Sequence, residues 1–479
     1  MEQTKKLEFY GGEWVSFLPF CIFLVLIMLT TFFWGSISDG ALWVPAFMAL
    51  IITFFLAKDK KHYSETIIAG MASKEAMIPV VCWLFAGVFS RILRSSGLAM
   101  AIAGLAAGIG VGPVLFTVIT FLASALFATA SGTGFGTIAA AMSVLYPAGV
   151  ALGCHPALLA GIIISGAAFG DNLAPVSDTT ICSATSQGVD VPGVVRSRLK
   201  YALCAGALVI IGAVVAGIAL DGTGVAMSNE FTYDPLSLLM LLSVIATIFV
   251  AVKTGDIIIA TTIGSVTGAI IGVLTNQFAF LLIDPEDTGA MALLSVHGEG
   301  LDRTVDGIIY TGLSSMLQVC LLALLLFGSI NIMRAGGGDK RLLNSMSRLT
   351  KTPIGAELTI SGMVIILSTI MGLNAPAILA VGASFAKPIA EKHGISPYRT
   401  ANLLDAQSNT FCYAAPWTPG IIYTISFAAG SGAPLAGIQV TPFVFYAYAM
   451  LLVMTGSIFL GIGRKDGMEK TAKQGVAAQ

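Results

Sequence analysis

Two aspartates seven residues apart, Asp171 and Asp178, stand in the string GDNLAPVSDTT (170–180), inside an otherwise apolar stretch. Pro175 offers no backbone donor and Gly170 resists a fixed helix, so a helix entering this string must break within it. Carbonyls freed by the break, together with the side-chain oxygens of Asp171, Asn172, Ser177, Asp178, Thr179 and Thr180, make a hard-oxygen site suited to a small cation such as sodium. A carboxylate at membrane depth is costly when charged and unpaired. Either a proton or a metal ion can neutralise it. Competition of the two for Asp171 and Asp178 is the simplest route to exchange. The plainer reading is that these aspartates cap the helix that restarts, which fits Asp178 better than Asp171.

A second polar string, DAQSNTFCYAAPWTP, begins at Asp405. At a spacing of four, Asp405 and Asn409 share one helix face, with Ser408 and Thr410 beside them. They read either as further cation or proton ligands or as polar glue between helices. Trp417 and Thr418 flank this second break; Trp417 can wall a substrate or fill the core beside the kink. Two further spots, Ser131, Gly132 and Thr133 in SGTG and Asn374 in GLNA, are small and polar. Free amides at helix starts there can hold an anion, a carboxylate included; the alternative is a plain turn. His155 and His393 read as loop histidines, His62 and His297 as surface residues, and Arg399 as a side chain snorkelling to the interface.

The elements that position these residues come in pairs. A shift of 241 residues lays Pro147 on Pro388, Gly153 on Gly394, Pro156 on Pro397 and Pro175 on Pro416 without a gap across 131–180. Each copy has a Gly- or Asn-containing bend, a short apolar run to a proline, and a helix that stops at the polar string. Interrupted apolar segments at matching places in two halves point to the binding site of a transporter. The short runs, 131–147 and 374–388, are expected to be re-entrant hairpins too short to span, and the broken helices to cover 156–187 and 397–429. The halves divide at about residue 225, giving repeats over 1–225 and 226–479.

Composition agrees. Hydrophobic residues make up 56%, charged residues 11%, and mean hydropathy is +0.88, whereas a soluble domain carries roughly a quarter charged residues. The chain is long enough for about a dozen spans. Apolar runs fall at about 14–34, 41–57, 76–93, 112–130, 200–220, 232–252, 256–282, 307–333, 354–371 and 441–463, besides the two broken helices. The seven cysteines are scattered and form no metal or disulfide framework. The net charge of −1 gives no argument for a nucleic-acid partner, and none is expected. No cleavable leader is expected, since Trp14 onward reads as a retained first span. Lysines at 5, 6, 58, 60 and 61, the basic loop 334–351 and the tail from Arg464 are expected on the cytoplasmic side, with both termini. The acidic connections 221–234 and 284–306 then lie outside, and the halves are inverted. Residues 339–351 read as an amphipathic helix along the interface, with 97–110 in the matching place.

GAAFGDNLAPVSDTT resembles the FGD-x-x-(S/A)-P-x-S-D-T-T signature of NhaC-type sodium/proton antiporters, and LLDAQSNTFCYAAPW resembles that family's D-A-G…P-W region. The resemblance extends over most of the chain. It implies an all-α polytopic membrane protein of the ion-transporter superfamily, with inverted repeats, two hairpins, and a transport domain that moves like an elevator against a scaffold. It also implies sodium near Asp171, Ser177, Asp178 and Thr179, exchange for protons, a homodimer, and the bacterial inner membrane. The family includes sodium-coupled exchangers of malate and lactate. One departure is Asn172, where many relatives carry His or Lys. A neutral residue there either takes the family's proton coupling away, which favours transport of an organic solute, or moves that coupling onto Asp171, Asp178 or Asp405.

Two functions follow as expectations. The first is sodium/proton antiport by alternating access, favoured because no Arg or Lys is expected inside the membrane to pair with an anionic cargo. The second is sodium- or proton-coupled transport of a small carboxylate or amino acid. An enzyme is not expected, because HExxH, GxSxG and nucleotide-binding loops are absent. Beyond the transported ions no cofactor is expected.

Overall fold

A computed structural model describes residues 6–34, 40–175, 177–220, 234–254, 256–283, 291–298, 302–346 and 350–466. In the first half, a 3-10 turn leads into α1 (Leu18–Trp34), followed by α2 (Gly40–Leu56), α3 (Lys60–Met71), α4 (Lys74–Ser95) and α5 (Leu98–Gly108). Then come α6 (Pro113–Ser131), α7 (Gly134–Ala151), α8 (Pro156–Leu173), α9 (Asp178–Gln187) and α10 (Val191–Ala219). Helix starts are written in the sequence. Proline stands in the first turn of α6, α8 and α10, and the side chains of Asp59, Ser73, Thr133, His155 and Asp190 accept from the free amides of α3, α4, α7, α8 and α10.

The second half begins with α11 (Leu241–Thr254) and α12 (Ile257–Leu274). A small sheet follows: β1 (Ala279–Ile283) pairs in parallel with β2 (Ala292–His297), which pairs antiparallel with β3 (Thr304–Asp306). The long helix α13 (Ile308–Ala335) leads to α14 (Gly338–Met346), α15 (Pro353–Met371) and α16 (Asn374–Val381). A π turn at Gly382–Ala386 continues into α17 (Lys387–Lys392). The chain ends in α18 (Pro397–Ser408), α19 (Phe411–Ala414), α20 (Pro419–Ala429), α21 (Gly437–Val440) and α22 (Phe445–Leu460). Among the described residues, eight helices are long and apolar enough to cross a membrane. Exposed apolar side chains such as Phe55, Leu126, Ile211 and Val215 suit a lipid surround rather than water. The chain is a polytopic membrane protein.

The matched spacing of the sequence recurs in the turns that start α5 and α14 and α7 and α16, with one revision. Gly97 and Gly337, at φ 74 and 76, precede α5 and α14, and Gly132 and Gly372, at φ 70 and 63, precede α7 and α16. These positions match at a shift of 240, not 241. From Pro147 and Pro388 onward the shift is 241. The π turn between them supplies the extra residue, because a π turn accommodates one more residue than an α-helix over the same rise. The gapless match expected across 131–180 therefore slips by one at its start.

Other expectations are corrected. Pro147 does not end α7, which runs on to Ala151 and is itself long enough to span. Its counterpart continues through the π turn to Lys392. The run 256–282 is not one helix: it stops at Leu274, and its last apolar residues form β1. The amphipathic segment is helical over Gly338–Met346. Residues 347–349 lie outside the described residues, as do Lys5, 221–233, 284–290 and the tail from 467.

The halves interlock. Helix α7 packs on α20, and α16 packs on α9, so each restarted half-helix lies against the other half of the chain. Helix α8 sits so close to α6 that a Cβ at Gly170 would meet the Ala125 carbonyl at 2.4 Å. Trp83 of α4 meets Tyr423 of α20 with ring centroids 5.4 Å apart.

Candidate functional site

Both polar strings break a helix for the same local reason. Ala174 and Ala415 precede prolines and are extended, with ψ 123 and 134, as the residue before proline prefers. Helix α8 therefore ends at Leu173 and restarts at Asp178, and α18–α19 give way to α20 at Pro419. The two breaks bring their polar side chains into one buried region, joined by Asn172 and Tyr413.

In the first break, Asp171 is 4% exposed. Its Oδ1 accepts from Ser177 Oγ at 2.9 Å, and its Oδ2 accepts from the Tyr413 hydroxyl at 3.2 Å. Ser177 Oγ also lies 2.9 Å from Thr179 Oγ1. Three hydroxyls thus surround the Asp171 carboxylate directly or through a neighbour, and no cationic side chain pairs with it among the described residues. Tyr413 is held from the other side: its ring stacks on Phe135 at 6.0 Å, and a Cβ at Gly134 would collide with its hydroxyl. The start of α7 therefore fixes the phenol that touches Asp171.

Asp178 stands apart. It is exposed, on the face of α9 that it shares with Ile181 and Thr185, and its Oδ1 accepts from the amide of Thr179 at 2.8 Å. That contact is the local helix-start role weighed in the sequence. Asp171 and Asp178 do not form a hydrogen-bonded pair.

Asp405 has a different setting. It is fully buried, and its Oδ2 lies 2.5 Å from Nη1 of Arg198, also fully buried. Its Oδ1 accepts from Asn409 at 3.0 Å and from Asn172 at 3.3 Å, and Ser183 donates to Oδ2 at 3.4 Å. Arg198 further donates through Nη1 to the Asn172 carbonyl at 2.6 Å and to Thr180 Oγ1 at 3.2 Å, and through Nε to Asn402 Oδ1 at 3.1 Å. The Asn172 carbonyl belongs to the last turn of α8, where a cation is favoured by the helix dipole. A cation does therefore sit deep in the protein, contrary to the expectation from sequence. The run VVRSRLK looks like an interfacial flank of a span starting near 200. The cap Asp190 and Pro192 start α10 at Val191, which carries Arg198 two turns inside.

The remaining expected residues divide. Asn374 donates to Asn409 Oδ1 at 2.6 Å, tying the start of α16 to the second string. Thr133 caps α7, accepting from Gly136 N at 3.2 Å, so the plain-turn role accounts for it. Gly132 supplies the left-handed turn before it. Thr410 and Thr418 spend their hydroxyls on the carbonyls of Gln407 and Ala415. Ser131 Oγ, Asn374 Oδ1 and Trp417 Nε1 are buried without a hydrogen-bond partner. Arg399 does not snorkel: it is 1% exposed and donates to Glu357 at 2.8 Å. Tyr446, which donates to Asn172 Oδ1 at 3.3 Å, went unmarked in the sequence because an isolated Tyr in an apolar helix carries no signal.

Residues 13–218, which hold the first break, match the family described as the Na+/H+ antiporter family. The NhaC-type resemblance read from GAAFGDNLAPVSDTT is borne out. Among curated antiporters, the chain is 25% identical over 378 residues to the Na+/H+ antiporter NhaC of Alkalihalophilus pseudofirmus, covering 75% of this chain and 77% of the relative. It is 27% identical over 265 residues to the malate-2H+/Na+-lactate antiporter of Bacillus subtilis, covering 52% of this chain. The match spans 54% of that relative, about half its length. The Alcanivorax borkumensis YdaH transporter aligns over 94% of this chain and 98% of its own, at 14% identity and a TM-score of 0.43.

Proposed function

We propose that this chain is a secondary antiporter that exchanges sodium for protons, with Asp171 as the group both ions compete for. The observation that carries this reading is the setting of Asp171: a buried carboxylate in a helix break, approached by hydroxyls and, among the described residues, by no side-chain cation. Oxygens of Asp171, Ser177 and Thr179 are the donor set a sodium ion takes. The match of residues 13–218 to the Na+/H+ antiporter family and the similarity to NhaC support it.

The mechanism is alternating access. With Asp171 deprotonated, sodium enters between the breaks and neutralises the site, and the transport domain crosses. A proton taken up on the other side displaces sodium and permits the return. An empty charged site does not cross, since carrying a bare carboxylate into hydrocarbon costs at least about 3 kcal/mol. Coupling follows from that barrier. The two halves, 1–225 and 226–479, act as inverted repeats, and the turns at Gly132 and Gly372 are the tips of two re-entrant hairpins. The moving body is an elevator against a scaffold. Cytoplasmic termini and a homodimer in the cell inner membrane complete the reading. Asp178, exposed beside the break, serves as an entry ligand, and Asn409, Asn374 and Thr410 brace the second break.

A second reading, sodium-coupled movement of a small organic carboxylate, draws on Ser131 Oγ, Asn374 Oδ1 and Trp417 Nε1, polar atoms left without partners. The malate-2H+/Na+-lactate relative is in keeping with it. The test is purified protein in liposomes with a trapped pH dye. A sodium pulse without organic solute should shift the lumenal pH, and choline should not. A flat trace that responds only after malate, lactate or an amino acid is added replaces antiport with the second reading.

A further inference from the structure

Arg198 is surrounded as a metal ion would be. Four oxygens from three elements converge on its guanidinium: the Asn172 carbonyl at the end of α8, Thr180 Oγ1 of α9, and Asp405 Oδ2 and Asn402 Oδ1 of α18. One is a carboxylate, one a helix-end carbonyl, one a hydroxyl and one an amide oxygen, which is the mixed donor set of a hard-cation site. The cage lies where the two broken helices meet, and it is wholly buried. A charge placed there without a counter-ion carries a large desolvation cost.

We propose that Arg198 is a resident cation: its guanidinium fills a second cation site between the two halves, which in its absence takes a small monovalent cation such as sodium. The arginine permanently neutralises Asp405 and withdraws it from exchange, leaving Asp171 as the buried carboxylate that, among the described residues, has no cationic partner and is free to trade ions. Gln at position 198 reaches only as far as the arginine Nε, so it preserves the contact to Asn402 and empties the inner end of the cage. The carboxylate, the carbonyl and the hydroxyl then face a space that an ion with water can occupy. This deepens the exchange reading by setting the number of exchangeable sites, but its test does not depend on that reading.

The experiment is a thermal melt of the full chain in detergent, in sodium chloride against choline chloride, with Asp171→Asn present throughout to remove the first site. The background variant should melt at the same temperature in both salts. Adding Arg198→Gln should make melting sodium-dependent, sodium raising the midpoint by several degrees through binding to the folded state alone. Adding Asp405→Asn to that variant should restore a sodium-independent midpoint, because no charge remains to compensate. A protein obtainable in sodium but not in choline is the extreme form of the expected result. Arg198→Gln melting low and identically in both salts overturns the proposal, since Asp405 then needs the guanidinium itself. So does failure to obtain Arg198→Gln in either salt while the variant also carrying Asp405→Asn is obtained. Failure of antiport has a separate signature: the unmodified protein shows no sodium-dependent shift that Asp171→Asn removes.

Discussion

The two helix breaks each bury an aspartate near the other's side chains, yet they treat it in opposite ways. Asp171 is met by the hydroxyls of Ser177 and Tyr413, whereas Asp405 is met by Arg198 at 2.5 Å. In a medium of low dielectric, the presence of a built-in countercharge decides what a carboxylate does. A compensated one is structural, because its charge is already balanced. An uncompensated one waits for a proton or an ion, and so can do work.

Substituting both aspartates in parallel is the strongest way to break this comparison. Asp171→Asn should reduce sodium-driven proton movement in liposomes to background with the melting midpoint largely kept. Asp405→Asn should instead cost about 3–5 kcal/mol of stability, by leaving Arg198 buried and unpaired. Chemical or thermal denaturation measures the second effect, and the reverse pattern would exchange the roles of the two breaks. Tyr413→Phe sharpens the first half of the comparison. It removes one donor from the charged carboxylate, about 1.5 kcal/mol, and should raise the sodium concentration for half-maximal exchange about tenfold with the fold intact. No change there would mean that the phenol only packs. Asp178→Asn has the smallest expected effect. An exposed charge acts weakly, so half-saturation should move within about fivefold, and complete loss of exchange would place Asp178 in the ion's first shell.

Prolines made the breaks legible. Pro175 and Pro416 sit at corresponding positions, forbid a continuous helix, and put Asp171 beside a helix break from sequence alone. Glycines in left-handed turns did the same for α7 and α16. Three things stayed hidden for physical reasons. The π turn at 382–386 has no residue signature, since any apolar run can wind one residue wide, and so the register slipped by one. Arg399 read as snorkelling because arginine beside a span usually does, and Arg198 carried no signal at all; both are buried by partners more than forty residues away in the chain, Glu357 and Asp405. Tyr413 lies in the second polar string but carries no signal there, since its partner Phe135 and the close approach of Gly134 exist only in three dimensions.

The π turn has a consequence for the exchange proposed above. Two matching halves that swapped roles would give inward- and outward-open forms of equal energy. Here one half carries a residue the other lacks, and Gln187 of α9 donates to the Gly382 carbonyl in that turn at 3.2 Å. The corresponding bond in the opposite sense is missing, because Ala428 stands where the 241-residue shift places Gln187 and α7 has no π turn. In the exchange proposed above, the two end states are therefore expected to be unequal and the unloaded carrier to have a resting side.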